Sequence, residues 1–229
     1  MFFDPLYFLL LAPALAASLW ATLKVKSTFQ RYNRVPASSS ASGASVAEML
    51  LSRNGLQIPV EEYPGELSDH YDPRRRVLRL SSDVYRGRSL AAIGVAAHEA
   101  GHALQHATQY QPLMLRQRLA PAASFGSSAS WFLLLAGFLL SSMNLVILGI
   151  LLFSLAVAFQ LITLPVEFNA SARAKALVSQ YGIVTESERG PIAQVLNAAA
   201  LTYLAAALTA LLTLLYYLIR SGLLGGRRD

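Results

Sequence analysis

The chain has 229 residues, 54% hydrophobic and only 14% charged, which excludes an ordinary soluble domain, where charged residues make up about 25%. It contains no cysteine, so disulfides and thiolate metal sites are excluded and any metal must be held by nitrogen and oxygen. The net charge of +6 would suit a nucleic-acid binder, but the basic residues flank long apolar runs in the manner of a membrane protein, and no nucleic-acid motif is present.

In chain order, residues 6–23 form an uncharged, apolar run long enough to cross a bilayer, followed by Lys24 and Lys26. Asp4 precedes it and no basic stretch does, so residues 1–23 read as an uncleaved first span rather than a leader peptide. Residues 24–118 form a polar segment. Its serine-rich run 37–45 has the composition of a flexible linker or a mobile gate. Ser45 and Glu48 have capping-box spacing for a helix that Gly55 can end. Residues 57–63 and 76–80 read as two short strands, separated by Pro64-Gly65 and the polar turn Ser68-Asp69-His70-Tyr71-Asp72-Pro73. Ser89 is expected to cap a helix of small and apolar residues over about 89–107.

Residues 119–166 carry no charge and are too long for one span. They divide at Ser141-Ser142-Met143-Asn144 into a second span, 119–141, and a third, 145–166, and Gly126 and Ser130 have the spacing that lets helices approach closely. Residues 167–194 read as a polar loop or helix, 195–219 as the fourth span, and 220–229 as a tail with Arg220, Arg227 and Arg228. Four spans put both polar segments on one side. These segments hold sixteen Lys/Arg against three in the tail, so they are expected to face the cytoplasm, with the tail arginines as a mild contradiction.

Three of the four histidines fall within residues 98–106. In His98-Glu99-Ala100-Gly101-His102 the two histidines lie four apart, on one helix face, where both imidazoles can meet one zinc ion. Glu99, beside the first, is placed to act as the base that takes a proton from water. Catalytic zinc usually has three protein ligands. Glu167 is the candidate for the third: it follows Pro165 at the end of the third span, an acid at that depth is costly without a partner, and the topology puts it on the same side as the motif helix. Glu186 and Glu188 lie in a turn-like stretch and read as solvated. His106 shares the face of His102 but lies two turns, about 12 Å, from His98, so it reads as a supporting or helix-end residue. His70 or Tyr71, in the polar turn, is a candidate to stabilise the oxyanion.

The motif 98–102, the upstream Ser68-Asp69-His70-Tyr71-Asp72-Pro73 with Val77-Leu78-Arg79-Leu80-Ser81, and Leu164-Pro165-Val166-Glu167-Phe168 together resemble the YugP family of bacterial membrane zinc metallopeptidases. The resemblance runs from Phe2-Phe3-Asp4-Pro5 to Leu196-Asn197-Ala198-Ala199-Ala200-Leu201. The layout is also distantly similar to the HtpX-type membrane gluzincins. That resemblance implies zinc as cofactor, His98, His102 and Glu167 as ligands and Glu99 as base. In HtpX-type enzymes an aspartate four residues after the ligand glutamate orients a histidine. That position is Ser171 here, so support for the ligands is expected from elsewhere, with Asn169 as the first candidate beside Ser171 itself.

The architecture expected is mainly α and integral to the membrane: four transmembrane helices, with a small α+β zincin-like cytoplasmic domain inserted between helices 1 and 2. The function expected is a zinc metalloendopeptidase of the bacterial cell (inner) membrane, acting at its cytoplasmic face on unfolded or membrane-associated polypeptides held by edge pairing on the strand 76–80. Its partners would be the polypeptide and the bilayer, with no nucleic acid; a homo-oligomer or a regulatory membrane partner stays open. The rival reading is a non-catalytic scaffold or assembly factor with structural zinc, whose fourth ligand His70 or His106 would have to supply. A transporter would need charge or broken helices at mid-membrane, and the spans offer Gln160 and Asn197 but no charge.

Overall fold

A computed structural model gives the architecture of residues 4–224. The first three residues of the expected first span, and Arg227 and Arg228 of the tail, lie outside the described residues. The fold is mainly helical with one small sheet. Among the described residues, four helices are long and apolar enough to cross a membrane: α1 (Pro5–Asn33), α5 (Gln111–Leu139), α6 (Met143–Gln180) and α7 (Glu186–Arg220). Between α1 and α5 lie α2 (Gly43–Arg53), β1 (Val60–Tyr63), β2 (His70–Asp72), β3 (Val77–Ser81), α3 (Ser82–Tyr85) and α4 (Leu90–Ala107).

These elements form two compact units. The first comprises residues up to Trp20, Met114–Pro165 and the chain from Thr202. Its surface carries large apolar side chains such as Leu9, Trp131, Phe132 and Leu139, all more than half exposed, as a lipid-facing surface requires. A Cβ on Gly126 would fall 2.7 Å from the carbonyl oxygen of Leu152, so α5 and α6 meet there with backbones in close approach. The start of α1 and the end of α7 lie side by side: Asp4 accepts a 3.0 Å hydrogen bond from the Tyr216 hydroxyl and pairs with Arg220 at 3.3 Å. One of the tail arginines that offset the charge asymmetry is thereby partly neutralised.

The second unit, Ala21–Leu113 with Val166–Leu201, holds the sheet and the motif helix. It draws on two chain segments rather than on the insert between the first two spans alone. Its core is built from Val46, Leu50 and Leu51 of α2, Leu78 and Leu80 of β3, the alanine face of α4, and Ala174, Val178 and Ile192 of α6 and α7. The sheet order is β1-β3-β2, with β1 parallel and β2 antiparallel to β3. Two expectations change here. The polar turn contains a strand, since His70, Tyr71 and Asp72 pair with Arg79, Leu78 and Val77. The strand 76–80 is then the central one, with its backbone engaged on both sides, so it has no free edge for a peptide.

Helix ends also differ from expectation, for local reasons. The cap of α2 is Ser42, whose hydroxyl accepts from the Ser45 N–H, so the helix starts before the Ser45–Glu48 pair. Gly55, at φ +73°, ends it as its sequence suggests. The serine-rich run is not a free linker. Ser38 donates through its N–H and hydroxyl to Glu188 Oε1, at 2.7 and 2.8 Å, and Ala37 N–H donates to Arg88 O. Glu188 is therefore buried rather than solvated, and its Oε2 accepts from the Thr185 N–H and hydroxyl to cap α7. Finally, α6 runs through Pro165 without a break, and α7 begins at Glu186, so most of 167–194 is helical.

Candidate metal centre

The centre sits where α4 packs on the second part of α6. Ser89 caps α4 by accepting from the Ala92 N–H, and Ala91, Ala92, Gly94, Ala96 and Ala97 follow with little side chain to obstruct a neighbour. On α6, Val166, Ala170 and Ala174 recur every fourth residue and are fully buried, which makes one narrow face. Gly101 completes the fit: a Cβ there would stand 2.8 Å from the Ala170 carbonyl oxygen. The glycine inside the motif thus sets how closely α4 and α6 approach.

That approach brings Glu167 to the two histidines. Glu167 Oε2 lies 3.2 Å from His98 Nε2 and 3.4 Å from His102 Nε2. Ligands held tetrahedrally at zinc's usual 2.0–2.1 Å are about 3.3 Å apart, so each nitrogen stands from the oxygen at the separation of two zinc ligands, and the three ligand atoms lie within 4.8 Å of one another. The other ring nitrogens are both engaged. His102 Nδ1–H donates to Gln105 Oε1 at 3.0 Å, and His98 Nδ1 is hydrogen-bonded to the Ser171 hydroxyl at 3.1 Å. Both Nε2 atoms face Glu167 Oε2, and for a ring whose Nδ1 carries the proton Nε2 is the nitrogen that can ligate a metal. The surroundings favour a cation: burial opposes a charge on His102, but Glu167, Glu99 and Gln105 outweigh it and hold its pKa above the ordinary histidine value. The donor set therefore fits zinc.

Gln105, which the sequence reading passed over, is fully buried and satisfied. Its Nε2 donates to Val166 O at 2.8 Å and Asn169 Oδ1 at 3.0 Å, so it ties His102 to α6. The available signal was a glutamine three residues after His102 in an otherwise alanine–leucine stretch. Ser171 supports His98 directly, in the place where an aspartate was missed, while Asn169 acts only through Gln105.

The remaining candidates lie outside the cluster. His106 Nδ1 is hydrogen-bonded to the Tyr71 hydroxyl at 2.9 Å. His70 donates from Nδ1 to Ser68 O and stacks edge-on against Tyr63. Asp69, in the same segment, accepts from the Ser81 N–H and hydroxyl. Burial, with a contribution from nearby Glu99, pushes its carboxyl up from the ordinary aspartate value. Glu99 is itself buried, one residue along α4 from His98. Among the described residues, no fourth histidine, aspartate or glutamate joins His98, His102 and Glu167, whose ligand atoms all lie within 4.8 Å of one another.

Residues 7–222 match the family described as "Putative neutral zinc metallopeptidase", and the chain belongs to that family. It is a membrane protein of this family, with zinc as its metal. It is 53% identical over 215 residues, 93% of this chain and 96% of the relative, to the "Putative membrane protease YugP" of Bacillus subtilis (strain 168). No solved structure matches the chain significantly.

Proposed function

We propose that the chain is a zinc-dependent metalloendopeptidase that hydrolyses peptide bonds of unfolded or membrane-associated proteins at the cytoplasmic face of the bacterial cell (inner) membrane. The observation that carries this reading is the convergence of His98 Nε2, His102 Nε2 and Glu167 Oε2 at zinc-ligand spacing, with Glu99 next to His98 on the same helix. A zinc ion held by these three supplies Lewis-acid polarisation of a peptide carbonyl and makes water easier to deprotonate. Glu99 is the residue that accepts the proton of the attacking water and returns it to the leaving amine. His98 and His102 are held in register for this by Ser171 and Gln105.

Substrate in an extended form suits the sheet. β1 and β2 are both edge strands; β2 is the one whose packing against α4 puts its outer backbone groups beside the motif helix for pairing with a peptide. The cytoplasmic orientation rests on the sixteen basic residues of the polar segments. The scaffold reading needs a fourth protein ligand, and both candidates have other hydrogen bonds, His70 to Ser68 and His106 to Tyr71.

The test is cleavage of casein by zinc-loaded, detergent-purified wild type beside Glu99→Gln. Time-dependent cleavage by the wild type alone is expected. Equal cleavage by both removes Glu99 as the base, and no cleavage by either moves the reading to the scaffold.

A further inference from the structure

A cavity of about 460 Å³ opens beside the C-terminal end of α4, lined by Asn54, Leu56, Leu104, Thr108, Arg173 and Leu177 together with Ala107 and Ala176. Among the described residues, no acidic side chain lines it. Arg173 is half-buried at its wall and, among the described residues, pairs with no carboxylate. Its guanidinium has five N–H donors. Two are used, Nε–H to Asn169 Oδ1 at 2.9 Å and Nη2–H to the Thr108 hydroxyl at 3.4 Å. Three donors remain. A half-buried, unneutralised arginine with spare donors against leucine and alanine walls matches an anionic oxygen pair carried on an apolar body.

The same arginine is connected to the metal centre. Asn169 Oδ1 accepts from both Arg173 Nε–H and Gln105 Nε2–H, and Gln105 Oε1 accepts from His102 Nδ1–H. An anion that draws Arg173 toward the cavity loosens its hold on Asn169, and the change is passed through Gln105 to His102.

We propose that this cavity is a binding site for a carboxylate on a short apolar body, held by Arg173 and linked through Asn169 and Gln105 to His102. The site takes its ligand whether or not the protein is a peptidase, so its test does not use cleavage. The full-length protein in detergent is titrated calorimetrically with hexanoate, hexanol and inorganic phosphate. Saturable hexanoate binding is expected, with hexanol and phosphate each weaker by about tenfold or more, since one lacks the charge and the other the apolar body. Arg173→Leu weakens hexanoate binding by about tenfold or more. Ala176→Trp, which fills the cavity from its exposed rim, also weakens it and decides the matter if the first variant does not fold. Zinc affinity, read by competition with a chelator, shifts at least about twofold when hexanoate saturates the site, and zinc shifts hexanoate affinity by the same factor.

Absence of hexanoate binding, hexanol or phosphate binding as tight as hexanoate, or unchanged binding in a folded variant overturns the site. Zinc affinity unmoved by saturating hexanoate overturns the link to His102.

Discussion

Gly101 lies against the backbone of Ala170 so closely that a single methyl group would stand 2.8 Å from the carbonyl oxygen. The neighbouring atom is main chain, fixed in a helix, and cannot swing aside. A side chain at 101 must therefore push α4 and α6 apart, and Glu167, one turn before Ala170, moves away from His98 and His102. Gly101→Ala is expected to weaken zinc binding by about tenfold or more, although alanine favours the helix itself by about 1 kcal/mol. Chelator competition measures this. Zinc affinity equal to wild type would mean that the helix contact does not set the ligand spacing.

Ser171 and Gln105 hold the two histidines by their Nδ1 atoms. Residues in that position typically contribute about 10–100-fold to metal affinity. Ser171→Ala and Gln105→Leu are each expected to raise the zinc dissociation constant within that range. Gln105→Leu should also cost stability, because Val166 O and Asn169 lose a buried donor. In the zinc-free protein Ser171→Ala, which removes a hydroxyl bonded to His98, should change thermal stability little. The split between affinity and stability is the result to look for.

Metal removal should be visible in folding. Zinc bound at about 1,000 times its dissociation constant stabilises a protein by about 4 kcal/mol. A chelator should lower the unfolding temperature of the wild type, with recovery on zinc but not on calcium, which prefers six to eight oxygen ligands. Glu167→Gln, one ligand oxygen poorer in charge, should show a much smaller chelator effect.

Tyr71 and His106 form a hydrogen bond that joins β2 to the end of α4. Burial raises the Tyr71 hydroxyl above the ordinary tyrosine value and lowers His106 below the ordinary histidine value, with Arg76 adding to the latter. Both groups are therefore neutral near pH 7, and a neutral bond of this kind contributes about 1 kcal/mol. A double-mutant cycle of Tyr71→Phe and His106→Ala should give a coupling energy of about that size in thermal or denaturant unfolding. Additive effects would show that the contact contributes nothing.

The four apolar runs, the Ser89 cap, the Gly55 stop and the spacing of His98 and His102 were all legible because each depends on neighbours in sequence. The rest depends on distant partners. Hydropathy marks where apolar surface ends and not where a helix ends, which is why α6 continues past Pro165 and delivers Glu167 from a helix rather than a loop. A three-residue strand such as β2 has too little periodicity to separate from a turn, and only β3 reveals it. Ser171 looked like a missing aspartate because its hydroxyl's partner, His98, is 73 residues away. The serine-rich run looked mobile because the carboxylate that pins it, Glu188, lies 150 residues downstream.

That pinning bears on how the protein can be labelled. A serine-rich stretch next to a predicted span is where an epitope tag or a cleavable insert would ordinarily be placed. Here an insertion after Ser38 would displace two of the four donors that satisfy the Glu188 carboxylate, and it would disturb the start of α7 through the two that remain. The exposed turn at Gly65, Glu66 and Leu67 offers a tag a place where the Ser68 hydroxyl's bond to Gly65 O is at stake rather than a buried carboxylate.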